Sequence, residues 1–118
     1  MIELIKIALD GKRFDLQNEK KLQQEVADAL RNGGVFFHRE HKLSDKSIID
    51  FFVPIFDRGI GLELKISGSP KSIYKQLERY CEFPQVHEIV LITNKTIGLP
   101  SAINGKSTHI INLGKAWL

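Results

Sequence analysis

Residues 48–66 read IIDFFVPIFDRGIGLELKI, and this stretch decides the fold. Its first half is an almost unbroken apolar run, which is typical of a strand covered on both faces, so we predict a strand over 47–56. Asp57, Arg58 and Gly59 predict a turn, and the alternation that follows predicts a returning strand over 60–66. The stretch therefore predicts a β-hairpin inside a covered sheet.

Two acids and a lysine interrupt this hairpin. Asp50 lies inside the apolar run, whereas Glu63 and Lys65 share one face of the second strand because side chains alternate. A carboxylate half-inside a core is costly unless it is paired or binds a cation. A turn centred on 57–58 makes opposed residue numbers sum to 115, so that Asp50 faces Lys65. A bulge at Gly59 would instead turn Asp50 to the other face, and the site prediction depends on the first register.

Turn and capping residues predict the remaining elements. Before the hairpin we predict, in chain order, a strand over 2–9, a turn at Asp10-Gly11, a returning strand over 12–16, a helix over 18–32 capped by Asn18 and ended by Gly33-Gly34, and a strand over 35–39. After it we predict a helix from Ser69-Pro70 to near Phe83, and strands over 88–93 and 109–113. This order predicts an α/β (α+β) fold with a mixed central sheet and helices on its faces.

The composition is that of a folded protein, with 118 residues of which 42% are apolar and 26% are charged, and it predicts one domain over 1–118. No apolar run approaches the roughly 18 residues of a spanning helix, and residues 1–3 lack the basic region of a secretory signal, so we expect a cytoplasmic protein without membrane contact. The single cysteine, Cys81, excludes an internal disulfide and falls on an apolar helix side, which predicts a core position. The net charge of +3 is too small to indicate a polyanionic partner by itself.

A third acid, Glu25, lies in the first predicted helix. At 100° per residue it falls about 60° from Leu22 and about 40° from Ala29, on the rim of the apolar stripe. Glu25, Asp50, Glu63 and Lys65 would thus point toward one region. Hard oxygen ligands favour Mg²⁺ or Mn²⁺ over structural zinc, and Mg²⁺ commonly takes only one or two carboxylates and leaves room for a phosphate.

The ordered set Glu25, Ile49-Asp50, Glu63-Leu64-Lys65 and Gln76 resembles the PD-(D/E)XK nuclease superfamily. The α-β-β-β-α-β core of that superfamily, a restriction-endonuclease-like fold, corresponds to residues 18–94, with Ile49 in place of the motif's proline. Gln76 and Tyr80 have the Gln-x-x-x-Tyr spacing of several branches. The short chain resembles stand-alone VRR-NUC domains and is similar in size to archaeal Holliday-junction resolvases.

The resemblance implies roles for the matching positions. Asp50, Glu63 and the Leu64 carbonyl would bind Mg²⁺, for which Mn²⁺ would substitute, and Glu25 would bind it directly or through water. Lys65 would position the attacking water and stabilise charge at the scissile phosphate. Gln76 would orient Lys65 or the phosphate.

Basic residues around this set predict contacts with a nucleic-acid backbone rather than with bases. We assign this role to Lys71, Lys75 and Arg79 on the second long helix, to Arg39, Lys42 and Lys46 before Asp50, and to Tyr80, which would stack or hydrogen-bond near the same edge. His38 and His41 receive no ligand role, because a separation of three would place them on opposite faces of a strand.

Together these features predict a metal-dependent endonuclease that selects DNA by its structure, with branched DNA or junctions as possible substrates. The N-terminal hairpin over 1–16 would extend the sheet or exchange within a homodimer, and residues 95–118 would add a C-terminal strand. The alternatives are a catalytically silent nucleic-acid-binding or assembly module, and a domain that metal merely stabilises. Glu63 and Lys65 could also be the solvated face of an edge strand, and Trp117 could pack on the sheet or serve an interface.

Overall fold

The computed structural model describes residues 1–114, and Trp117 lies outside the described residues. In these residues three helices flank one six-stranded sheet. The elements follow in the order α1 (Ile2–Leu9), α2 (Glu19–Asn32), β1 (His38–Lys42), β2 (Ile48–Ile55), β3 (Arg58–Lys65), α3 (Pro70–Tyr80), β4 (Val86–Thr93), β5 (Ala102–Ile103) and β6 (Lys106–Asn112). None of these helices is long and apolar enough to cross a membrane.

The sheet has the strand order β1-β2-β3-β4-β6-β5 and is mixed, as predicted. β1, β2 and β3 are antiparallel neighbours, whereas β3, β4 and β6 are parallel. Lys65, Thr93 and Asn112 are aligned across the parallel strands, so the carboxyl ends of these three strands lie at one edge of the sheet.

Each face of the sheet carries its own apolar core. α1 and α2 pack on the face that receives Ile60, Leu62 and Leu64 of β3, while α3 packs on the opposite face. Glu63 therefore points toward α3, and the predicted separation of Glu63 from the aliphatic side chains of β3 is confirmed. Cys81 is buried in the α3 core, as predicted.

The N-terminal segment corrects one prediction, because residues 2–9 form helix α1 and residues 12–16 form no strand. The isoleucines suggested a strand, but Ile5, Ala8 and Leu9 are buried at helical spacing and face α2. Gly33 permits this contact, since a Cβ atom there would lie 2.5 Å from the Ala8 Cβ atom. A hairpin over 1–16 that extends the sheet or exchanges between subunits is therefore excluded.

The hairpin between β2 and β3 has a tighter turn than predicted. Ile55 pairs with Arg58 and Phe51 pairs with Leu62, so opposed residue numbers sum to 113 rather than 115. Two residues, Phe56 and Asp57, form the turn. The ladder ends at Phe51 and Leu62, and beyond it the Asp50 N–H donates to Glu63 Oε1, so the neighbour of Asp50 is Glu63 rather than Lys65.

The remaining boundaries differ modestly from those predicted. Asn18 caps α2 by accepting the Lys21 N–H, as expected, and α3 ends at Tyr80 rather than near Phe83. β1 begins at His38 instead of residue 35, because Val35 enters the core from the preceding loop. The short β5 was not predicted.

Phe56 generates a stability prediction, since its φ of 55° is left-handed and its side chain is fully exposed. An L-residue in this conformation costs roughly 1–2 kcal/mol, whereas glycine adopts it freely. We expect Phe56→Gly to raise the free energy of unfolding by about 0.5–1 kcal/mol in urea denaturation. Phe56→Ala removes the ring but keeps the strain, so it should change little. Equal stability of the two variants would contradict the explanation.

Candidate active site

The carboxylates of Asp50 and Glu63 meet where β2 and β3 separate. Both residues lie one position beyond the last paired residues, Phe51 and Leu62. The Asp50 N–H donates to Glu63 Oε1 at 3.2 Å, and the Leu64 N–H donates to Asp50 Oδ2 at 2.8 Å. Each carboxylate thus accepts a backbone hydrogen bond in place of a ladder bond between the strands.

A local irregularity turns Asp50 into this gap. Ile49 and Phe52 belong to the α3 core, whereas Phe51 belongs to the opposite core, so the alternation of β2 is broken at Asp50. The residue across from Asp50 in β1 is Glu40, whose φ of 51° is left-handed. The interruption in both strands explains how a carboxylate enters a strand that otherwise reads as apolar.

Helix α3 supports the pair from one face of the sheet. Tyr80 is buried, and its hydroxyl proton serves either the Ile48 carbonyl oxygen at 2.9 Å or Glu63 Oε2 at 3.3 Å. The Gln76 side-chain amide donates to the same hydroxyl at 2.9 Å. Gln76 and Tyr80 therefore position Glu63, and the 1% exposure of Tyr80 excludes the predicted stacking on a nucleic acid.

Helix α2 supports the pair from the other face. The Gln23 side-chain amide donates to Asp50 Oδ1 at 3.0 Å. Glu19, one turn earlier on the same side of α2, is close enough for its charge to raise the pKa of Asp50. Among the acids of α2, Glu19 is thus the one whose charge acts on Asp50.

Glu25 corrects the corresponding prediction. Its Oε1 atom accepts the Asp15 N–H at 2.7 Å, and it lines a separate cleft with Lys12 and Asp28. Two residues along a helix differ by about 160°, so Glu25 points away from the side on which Gln23 contacts Asp50. A role for Glu25 at the carboxylate pair is not supported by this geometry.

The helical periodicity of the sequence also indicates Glu19, although the prediction chose Glu25 for its position on the rim of the apolar stripe. At 100° per residue Glu19 falls about 20° from both Val26 and Leu30, inside the buried stripe of α2, and Gln23 falls equally close to Leu30. Both are therefore better placed to reach the sheet than Glu25. Their position at the start of the helix, where side chains are commonly solvated, obscured this.

Burial disfavours the ionised forms of Asp50 and Glu63 and so raises the pKa values of both carboxyl groups. Burial, followed by the charge of Asp50, raises the pKa of Glu63 to about 8. Burial also raises the pKa of Asp50, although the Leu64 N–H and Lys65 oppose that shift. Near neutral pH one proton therefore resides on Glu63 and prevents two adjacent negative charges.

The donor set fits a hard divalent cation. Two adjacent carboxylates that can ionise together only at cost gain from replacing the proton with a cation, and two is the number that Mg²⁺ commonly takes. The Leu64 carbonyl faces the same side of β3 as its N–H, toward Asp50. Within residues 1–114, no group of three or more His, Cys, Asp or Glu side chains is placed to hold a metal, so the remaining ligands would be backbone and water.

Lys65 lies between the carboxylate pair and the protein surface. Its Nζ atom is 3.7 Å from Glu63 Oε2, and its side chain is 27% exposed, against 3% for Glu63. Lys65, Lys75, Gln76 and Arg79 line a cleft of about 460 Å³ between the end of β3 and α3. The cleft offers three cations next to a buried carboxylate, which is a suitable environment for a phosphate group.

A second basic cleft, of about 340 Å³, lies on the α2 side. It is lined by Lys20, Lys21 and Arg39, and Arg39 donates to Gln24 Oε1 at 2.7 Å. The sequence prediction included Arg39 but not the two lysines, because their approach to β1 depends on how α2 packs. The other residues predicted to contact a backbone, Lys42, Lys46 and Lys71, are exposed.

His38 and His41 correct another prediction, because their rings stack on the same face with centroids 5.6 Å apart. The left-handed conformation of Glu40, between them, breaks the alternation that would have separated them.

The pKa of Glu63 predicts how stability depends on pH. Between its ordinary pKa of 4.5 and about 8, the folded chain keeps a proton that the unfolded chain has lost. The free energy of unfolding in EDTA should therefore fall as pH rises through this window, by up to about 1.4 kcal/mol per unit. Glu63→Gln removes the titrating group and should flatten the profile. Parallel profiles from urea denaturation of both proteins would contradict the prediction.

No protein-family model, curated protein or solved structure matches this chain. The resemblance to the PD-(D/E)XK superfamily therefore stays a prediction.

Proposed function

We propose that this protein is a metal-dependent nuclease that hydrolyses phosphodiester bonds in DNA, acting as a structure-selective endonuclease. One observation carries the proposal: the carboxylates of half-buried Asp50 and buried Glu63 lie together and open, past Lys65, onto a basic cleft. A structural role alone does not require two acids to share a buried space beside a lysine. Perturbed acids that border a cleft are typical of functional sites.

The order of elements supports the same proposal. Residues 19–93 run α2, β1, β2, β3, α3, β4, which is consistent with the α-β-β-β-α-β core of the PD-(D/E)XK superfamily. Asp50 lies on β2, and Glu63 and Lys65 lie on β3, where the resemblance requires them. A restriction-endonuclease-like topology is therefore part of the proposal.

Asp50, Glu63 and the Leu64 carbonyl would hold Mg²⁺ or Mn²⁺, with Glu19 contributing through water. The bound cation would polarise the scissile phosphate and lower the pKa of a nearby water molecule. Gln23 holds Asp50 through Oδ1, and Tyr80 holds Glu63, so both carboxylates are oriented before a ligand arrives. Such support commonly changes metal affinity by 10- to 100-fold or so.

Lys65 would contact the reacting phosphate. Its ammonium group donates to a phosphate oxygen and to the attacking water, which it holds in line with the bond that breaks. The water oxygen would form the new bond to phosphorus and release a proton to solvent, while the bond from phosphorus to a sugar oxygen breaks and that oxygen takes up a proton from solvent. Lys75 and Arg79 would bind the neighbouring phosphate in the same cleft.

The two basic clefts support recognition by shape. The α3 cleft adjoins the carboxylate pair through Lys65, and the α2 cleft lies between α2 and Arg39 of β1, so a nucleic acid that enters both would contact two separate surfaces of the protein. Phosphate contacts of this kind carry no sequence information. A homodimer would supply the two sites that two strands require.

The second candidate is a catalytically silent nucleic-acid-binding module on the same fold. The basic clefts favour it equally, because backbone binding needs cations but no carboxylate pair. It predicts salt-dependent DNA binding that Asp50→Asn leaves unchanged, and no products with any metal.

A cleavage panel tests the proposal. Labelled single strand, duplex, flap, four-way junction and matching RNA are incubated with Mg²⁺, Mn²⁺ or EDTA. We expect metal-dependent products, strongest on branched DNA, and a loss of about 100-fold or more in Lys65→Ala and Asp50→Asn. Lys6→Ala, an exposed lysine of α1 that pairs with Glu3, is the matched control and should cleave normally.

Intact substrates throughout, from a protein that melts cooperatively, would reject the nuclease and favour the binding module. Normal cleavage by Lys65→Ala would reject the role of the lysine, and normal cleavage by Asp50→Asn would reject the metal site.

Glu19 and Glu25 provide a matched pair of variants on one helix. Glu19→Gln should raise the Mg²⁺ concentration for half-maximal cleavage about tenfold, since Glu19 lies beside Asp50. Glu25→Gln should leave it unchanged, although it weakens the bond to Asp15 and can lower the melting temperature. If Glu25→Gln raised the required Mg²⁺ concentration and Glu19→Gln did not, the metal-binding role would belong to Glu25, as the sequence predicted.

A further inference from the structure

Four rings form a continuous column along β1. His41 stacks on Phe52 with centroids 4.3 Å apart and planes 11° apart, and His38 stacks on His41 at 5.6 Å. Phe36 meets His38 edge to face at 5.3 Å. Phe52 is buried, whereas Phe36 is 69% exposed, so this ring column begins in the core and ends in solvent.

The column depends on a strained backbone. A regular strand would place His38 and His41 on opposite faces, and the left-handed Glu40 between them brings both to one face. Such a conformation is costly for a non-glycine residue and is often retained at functional sites. Burial, followed by the charge of His38, lowers the pKa of His41, which therefore stacks as a neutral ring near pH 7.

The column starts beside the candidate active site. His41 pairs with Ile49, the residue that precedes Asp50, and His38 pairs with Phe52 further along β2. The centroid distances of 5.6 Å and 5.3 Å limit the span of the rings from His41 to Phe36 to about 11 Å, which a few nucleotides can cover. A strand that leaves the carboxylate pair over β1 would thus pass along the rings.

The surrounding charges favour a polyanion. Residues 36–46 contain three cations, Arg39, Lys42 and Lys46, against the two acids Glu40 and Asp45. Exposed rings interleaved with cations are the combination that binds single-stranded nucleic acid, because bases stack on the rings and phosphates pair with the cations. A second copy of this surface would carry the same excess of positive charge, which disfavours pairing of β1 with itself.

We propose that the ring column is a stacking platform for a single-stranded segment of nucleic acid, with Phe36 as the outermost contact for a base. The proposal rests on the proposed function in taking a nucleic acid as ligand, and it adds that the substrate has an unpaired segment lying along β1. A flap or a frayed junction arm has this property, whereas a continuous duplex does not.

Fluorescence anisotropy in EDTA tests the platform without turnover. The probes are a short labelled oligothymidylate, an oligouridylate and a duplex of equal length. Phe36→Ala should weaken single-strand binding about tenfold and leave duplex binding unchanged. Phe36→Tyr keeps a ring and should bind like the wild type. Ile7→Ala is the matched control, because Ile7 is 68% exposed but lies on α1.

Each outcome decides the proposal. The platform is supported if Phe36→Ala loses affinity for either single strand while Phe36→Tyr and Ile7→Ala do not. The single strand that binds more tightly then identifies DNA or RNA as the ligand. Normal single-strand affinity in Phe36→Ala, or equal losses on duplex, overturns it. A wild-type dimer that Phe36→Ala dissociates in light scattering, with single-strand binding intact, makes the column an interface and also overturns it.

The two proposals fail separately. Binding is measured without metal, so a chain that never cleaves can still show the platform. Conversely, a chain that passes the cleavage panel but binds single strands equally well with and without the Phe36 ring loses only the platform.

Discussion

Two carboxylates that share one buried space constrain the rest of this structure. Burial and the charge of Asp50 raise the pKa of Glu63 to about 8, so a proton stays on Glu63 near neutral pH. The sheet accommodates them by ending the β2–β3 ladder one residue early and using the freed N–H groups of Asp50 and Leu64 as donors. The same cost that destabilises the fold is what a divalent cation would relieve.

The helices on the two faces of the sheet serve this pair in different ways. α2 contributes Gln23 and the nearby charge of Glu19, while α3 contributes the buried Tyr80 hydroxyl with Gln76 behind it. Both carboxylates are thereby held in defined orientations. α3 also lines a basic cleft that adjoins the pair through Lys65, and α2 lines a second basic cleft with Arg39 of β1.

Much of this could be predicted from the sequence, because the relevant signals are local. The β2–β3 hairpin, the Asn18 cap and the shared face of Glu63 and Lys65 follow from alternation, turn residues and capping chemistry. The N-terminal segment could not be predicted in this way. Its isoleucines favour a strand, and only packing against α2, with Gly33 allowing close approach of Ala8, makes it helical.

The sequence by itself determined which polar residues of the sheet come together, since Asp50 interrupts an apolar run and alternation places Glu63 and Lys65 on one face of β3. The tertiary structure alone decided which helix residues join them. Gln23 contacts Asp50 and the charge of Glu19 acts on it, whereas Glu25 bonds to Asp15, because the rotation of α2 sets these directions. His38 stacks on His41 because the left-handed Glu40 between them breaks the alternation of the strand. Periodicity assigns a face, whereas contact between distant elements requires packing.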